Sequence, residues 1–296
     1  MIVVKKSFIL LACIIISMIL SQAILAKCTE DATFPLRKVF LTVDCIDMND
    51  FISDIEEKKV IIVDARNKTE YKIIRIKEAI NIPINDKRHF IEQVKLLRQH
   101  DSRPIVFYCN GKTCNVSYEA AKLSIEAGIK DVLVFDSGIF KYSQTSPTNT
   151  LLLDKPISIS NRPISTPEFT QHLLDVKEFN DEIMKHIDSE KSFNILDIRA
   201  QINQQGLSIY SGIPNNKQIA LNKTEQLKRY LKKIAKNNDT LFVYDWSGRQ
   251  LRWIQYYINE QGVNNYYFLR GGAIAKINHD LRAQGLPEMN WLNNEK

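Results

Sequence analysis

Two halves of this 296-residue chain are written in the same order, and that constrains the fold more than any other feature. Val60-Ile-Ile-Val-Asp64-Ala-Arg66 returns as Phe193-Asn-Ile-Leu-Asp197-Ile-Arg199, an apolar run followed by Asp-x-Arg. The segment before Pro83 returns at Gly212-Ile-Pro-Asn-Asn, and Ile105 to Cys114 returns as Leu241 to Gln250. Gly128 stands as far from Gly138 as Gly262 does from Gly272. The chain therefore reads as two copies of one domain.

Within each copy short apolar runs alternate with helix-like spacing. Runs such as Val60 to Val63 and Ile105 to Tyr108 are continuous rather than alternating, as in strands buried on both faces of a parallel sheet. Between them, Met48 to Lys58, Phe90 to His100 and Ser117 to Ala127 have helical spacing, the last stopped by Gly128. Residues 27–42 read as an extended lead-in, and Glu70 to Ile76 as a helix or turn. This alternation predicts an α/β fold with a parallel, doubly wound sheet. Residues 147–163, rich in proline, serine and asparagine, read as a surface linker between a domain over 39–146 and a second over 164–290.

The chemistry concentrates after the run Ile105 to Tyr108. Cys109-Asn110-Gly111-Lys112-Thr113-Cys114-Asn115 joins a strand to a helix. Ligands collect at such crevices, where loop N–H groups and the positive helix end stabilise an anion. Cys109 is expected there as a reactive thiolate with a depressed pKa. Lys112 is read either as a residue that attracts an anion or as a solvated loop lysine. Cys114 is read either as a second, resolving thiol or as a small loop residue. Asp64 and Arg66 are expected as structural charges at a strand end. At the matching position of the second copy stands Asp245.

The amino terminus reads as an export signal over residues 1–26: Lys5-Lys6, an apolar stretch from Phe8 to Leu20, then small residues for cleavage. Without cleavage the same segment would anchor the chain in a membrane; no later stretch is long enough to span one. The expected location is periplasmic or secreted. In an oxidising compartment Cys28 and Cys45 are plausible disulfide partners. The net charge of +6 falls to +4 without Lys5 and Lys6, and the rest is scattered, which argues against nucleic acid as a partner. The five histidines show no metal-ligand spacing, so neither a metal nor a cofactor is expected.

The ordered set of Asp-x-Arg, Ala-Ile-Asn-Ile-Pro, a cysteine loop after an apolar strand, and a late Gly-Ile or Gly-Gly turn resembles the rhodanese-like sulfurtransferases. The resemblance covers residues 43–142 and 164–288. It implies two tandem α/β domains, each with a mostly parallel sheet of about five strands flanked by helices. It places the family's catalytic cysteine on Cys109, where a sulfane sulfur from thiosulfate, polysulfide or a persulfide would rest as a persulfide. A thiol or other nucleophile would accept it; the partners implied are a small sulfur-donor anion and a thiol, a protein thiol among them. A carboxylate cannot carry a persulfide, so the copy with Asp245 reads as silent. From Cys109 to Gly128 is 19 positions, and from Asp245 to Gly262 is 17, so two extra residues are assigned to the first loop. That leaves Val116 where the family commonly has arginine.

Two other chemistries compete with this one, along with a non-enzymatic binding role for the fold. A phosphatase or arsenate reductase would want Cys-x5-Arg, and Asn115 stands where that arginine belongs. A thiol-disulfide redox protein would use Cys109 and Cys114 as its pair.

Overall fold

The computed structural model describes residues 31–200 and 209–289. The expected signal segment and Cys28 lie outside the described residues. The chain divides between Asn161 and Arg162 into two units.

Domain 1 runs β1 (Asp44–Cys45), α1 (Met48–Glu56), β2 (Ile61–Asp64), α2 (Lys68–Ile73), β3 (Ile74–Ile76), β4 (Ile80–Asn81), α3 (Lys87–His100), β5 (Ile105–Tyr108), α4 (Val116–Glu126), β6 (Val132–Phe135) and α5 (Gly138–Thr145). Its main sheet has five strands in the order β1-β6-β5-β2-β4, all parallel. Every residue of β2, β5 and β6 is buried, which is why these strands are unbroken apolar runs. Val63, Phe107 and Val134 join Phe90 and Val94 of α3 and Tyr118 of α4 in one core. Burial of that apolar surface supplies the main drive to fold. The lead-in is not extended throughout: Pro35–Lys38 is a 3₁₀ turn.

The expected linker is part of the fold. Residues 150–152 (β7) and 155–156 (β8) pair antiparallel, and β7 pairs antiparallel with β3. Thr150 and Leu152 are buried in doing so. Proline, serine and asparagine around these short strands masked them in the sequence. The partner strand also lies in residues 74–76, beyond the reach of any local pattern.

Domain 2 runs α6 (Thr166–Thr170), β9 (Leu173–Leu174), α7 (Val176–Asp188), β10 (Phe193–Asp197), β11 (Asn216–Gln218), α8 (Thr224–Asn237), β12 (Thr240–Tyr244), α9 (Leu251–Glu260), β13 (Tyr266–Leu269) and α10 (Gly272–Ala283). Its five-stranded sheet has the order β11-β10-β12-β13-β9, again parallel. Strands β10, β12 and β13 stand where β2, β5 and β6 stand in domain 1, so the internal repeat of the sequence is a repeat of topology.

Candidate functional site

Register builds the site. Asp64 at the end of β2 pairs with Tyr108 at the end of β5. The next residues of both strands therefore leave the sheet side by side at its carboxyl edge. Arg66 folds back on Asp64, with Nε 3.0 Å from Oδ1 and Nη2 2.6 Å from Oδ2. Both side chains are fully buried, and Nη2 also donates to the Ile74 carbonyl at 2.6 Å. Burial works against the guanidinium charge, but the Asp64 carboxylate outweighs it and raises the pKa of Arg66. Nη1 then donates to the Asn110 side-chain oxygen at 3.0 Å, and Asn110 Nδ2 donates to Glu70 Oε1 at 3.0 Å. The Asp-x-Arg pair thus holds the loop as well as the strand end. Burial raises the pKa of Glu70, a residue that sequence reasoning left as part of a helix or turn.

The two thiols share one loop. Cys109 is 1% exposed and Cys114 is half-buried; both are free. Cys109 Sγ donates to the Cys114 carbonyl oxygen at 3.1 Å. The buried Ser117 hydroxyl lies 3.4 Å from Cys109 Sγ. Helix α4 opens at Val116 directly after the loop, and the backbone N–H groups of Asn110 and Val116 favour the Cys114 thiolate.

This reverses the ionisation expected from the sequence. Burial pushes the Cys109 thiol up, and the neighbouring Cys114 raises it further. Cys114 is lowered to about 7 by the hydrogen bond from Cys109 and by the two backbone N–H donors. Its setting at a helix amino terminus is one that stabilises a thiolate. The strand-to-helix position was visible in the sequence. Which of the two sulfurs meets the N–H groups was not, because that depends on the turn closed by Cys114 N–H to the Gly111 carbonyl at 2.9 Å. Within the same loop, Lys112 is exposed, its ammonium 4.4 Å from the centre of the Phe34 ring. Thr113 and Asn115 are exposed as well.

Gly138 closes the site from behind. Its φ is +67°, and a Cβ there would come within 2.5 Å of Asn110 C and Gly111 Cα. The turn after β6 therefore lies against the loop backbone, pinned by Ile139 N–H to the Cys109 carbonyl at 2.9 Å. Gly138→Ala is expected to cost at least about 1–3 kcal/mol through the left-handed backbone alone, and to displace the loop. Urea unfolding read beside the alkylation rate of the two cysteines checks both effects; unchanged values would refute the close approach.

Domain 2 repeats the frame with different chemistry. Ala273 N–H binds the Asp245 carbonyl at 2.8 Å, as Ile139 binds that of Cys109. Arg199 pairs with the buried Asp197 at 2.7 Å. The Asp245 carboxylate itself accepts the backbone N–H groups of Gly248 and, at 2.7 Å, Gln250. The loop's donors are thus occupied by a side chain of the same loop, although burial raises that carboxyl's pKa. From the end of the strand to the helix, domain 1 has one residue more than domain 2, and α4 itself is one residue longer than α9. The two-residue excess read from the sequence is shared between loop and helix. A cavity of about 290 Å³ in domain 2 is lined by Asn180, Tyr210 and Lys276 among others, and by none of residues 245–250.

A parallel α/β domain that presents a thiol loop at the carboxyl edge of its central strand, twice over in frame and once in chemistry, defines a sulfur-handling class. The Rhodanese-like domain family matches residues 47–145 and 167–275, and the chain belongs to that family. The tRNA uridine(34) hydroxylase of Buchnera aphidicola is 35% identical over 101 residues, 33% of this chain and 31% of that one. The protein of the same name from Chlamydia felis is 28% identical over 130 residues, 40% of this chain and 39% of that one. The chain thus spans between about a third and two-fifths of the length of these curated relatives. A thiosulfate sulfurtransferase structure from Pseudomonas aeruginosa aligns over 82% of this chain and 43% of its own, at 19% identity and a TM-score of 0.36.

Proposed function

We propose that the chain is a sulfurtransferase in which domain 1 holds a sulfane sulfur as a persulfide on Cys109 and passes it to a thiol or another nucleophile. The donor class is thiosulfate, polysulfide or a carrier persulfide. The observation that carries this reading is the pair of free cysteines on one loop at the carboxyl edge of the sheet, beside the opening of α4, whose backbone N–H groups are able to stabilise an anionic sulfur. Domain 2 is silent in this scheme, because Asp245 offers no sulfur and its carboxylate fills the loop's donors.

We propose further that the protein works outside the cytosol, as the amino-terminal sequence leads one to expect. Cys45 is disulfide-bonded, and such bonds persist in oxidising compartments. Its expected partner, Cys28, lies outside the described residues. Only the sulfur chemistry of the family, and not the RNA modification in the relatives' name, is therefore proposed for this chain.

Incubating the purified protein with each donor class and weighing it is the test. A gain of about 32 Da, one sulfur atom, on the loop cysteines supports transfer. A loss of about 2 Da without any gain would mark an internal disulfide instead. The hydrogen bond that holds the Cys109 thiol to the Cys114 carbonyl keeps the two free cysteines together and favours that second reading, a thiol-disulfide exchange protein, as the alternative.

A further inference from the structure

Resting on the sulfurtransferase reading, we infer that the first sulfur bond forms on Cys114, and that Cys109 receives the sulfane atom from it. Three observations point the same way. Cys114 is half-buried, whereas Cys109 is 1% exposed, so a donor anion meets Cys114 first. Cys109 keeps its proton in a hydrogen bond to the Cys114 carbonyl, 3.1 Å away. Cys114 stands two residues before α4 opens at Val116, where backbone N–H groups favour its thiolate.

The charges around Cys114 are consistent with this role. The Cys109 side chain at the end of β5 favours the ionisation of Cys114, and Glu70 from α2 opposes it. Arg66, beyond β2, is held off by Asn110, and the Lys112 ammonium lies over Phe34. The balance leaves Cys114 with a pKa of about 7.

The steps balance. The Cys114 thiolate attacks the outer sulfur of thiosulfate; a Cys114 Sγ–S bond forms, the S–S bond of the donor breaks, and sulfite leaves with the bond's electron pair. Cys109 Sγ then attacks the same sulfane atom. Its proton leaves the Cys114 carbonyl for Cys114 Sγ, the Cys114 Sγ–S bond breaks, and the persulfide anion now belongs to Cys109. No electrons are gained or lost overall, and Cys114 is restored as a thiol. The buried seat shields the persulfide from solvent reductants, while the outer cysteine meets the donor.

The chain carries its own means of telling the two sulfurs apart. Lys112 lies between them, so trypsin separates Cys109 from Cys114 into different peptides. The probes are thiosulfate and inorganic polysulfide. In Cys109→Ser the added sulfur is expected on the peptide that starts at Thr113. In Cys114→Ser, loading of Cys109 is expected to slow at least about fiftyfold at pH 7, the ratio of thiolate fractions for pKa values near 7 and above 9. Between pH 6 and pH 8 loading of wild type is expected to rise about tenfold, as the thiolate fraction does for a pKa of about 7.

Should the serine variants fold poorly, wild type still decides. Brief iodoacetamide treatment at pH 7 is expected to label the Cys114 peptide well before the Cys109 peptide. First labelling at Cys109 would overturn the inference. So would Cys114→Ser loading at the wild-type rate while Cys109→Ser carries no sulfur, a result that leaves the sulfurtransferase reading standing. If wild type takes no sulfur from any donor, it is the sulfurtransferase reading itself that fails, and this inference with it.

Discussion

Replacing Arg66 with alanine is expected to destabilise domain 1 by about 3–5 kcal/mol, the usual cost of leaving one member of a buried ion pair without its partner. Asp64 would remain in a site with no solvent, stripped of two guanidinium hydrogen bonds. The Ile74 carbonyl and the Asn110 side chain would each lose a donor as well. Denaturant unfolding followed by far-ultraviolet circular dichroism measures the effect. All three tryptophans, Trp246, Trp253 and Trp291, lie beyond Arg162, so tryptophan emission isolates the share of domain 2. Arg66→Lys keeps the charge but not the two-pronged geometry, and is expected to recover part of the loss. A midpoint for Arg66→Ala within about 0.5 kcal/mol of wild type would show that the pair does not hold these strand ends together.

The second large effect concerns activity. A chain carrying both Cys109→Ser and Cys114→Ser is expected to lose sulfur transfer at least about a thousandfold with every donor, the scale at which removal of a nucleophile shows. Retaining either cysteine alone leaves one possible carrier in the loop; removing both leaves none there, and domain 2 has no cysteine to substitute. Steady-state release of sulfite from thiosulfate, and of sulfide from polysulfide, reads the loss. Transfer persisting within tenfold of wild type would move the chemistry out of this loop.

Much of this was legible in the sequence, because the fold is written in continuous apolar runs. Ile105 to Tyr108 and Val132 to Phe135 were bounded correctly, since strands buried on both faces tolerate little else. The doubling of Asp-x-Arg gave both domains and paired Cys109 with Asp245. What local pattern does not encode is direction. Asp64 and Arg66 were read as strand-end charges, and they are. Their link through Asn110 to Glu70 required the register of β2 on β5, which no spacing along the chain reveals. The same holds for the thiols: the loop was found, but the reversed ionisation of Cys109 and Cys114 follows from one backbone turn and the degree of burial. Glu70 carried only a local signal, the Asn67 cap whose amide donates to it at 2.6 Å.

The small sheet of β3, β7 and β8 bears on where this molecule can be divided. The family match ends at residue 145, but the fold of domain 1 does not. Strand β7 covers Ile74 and Ile76, both fully buried, and Ile157 N–H closes on the Thr150 carbonyl. Ile76 N–H in turn binds the hydroxyl of Tyr108, the residue immediately before Cys109. Excision at the family boundary would bare two isoleucines and loosen the footing of the thiol loop. The smallest autonomous domain 1 therefore has to run past residue 157, carrying with it a stretch that resembles a dispensable tether.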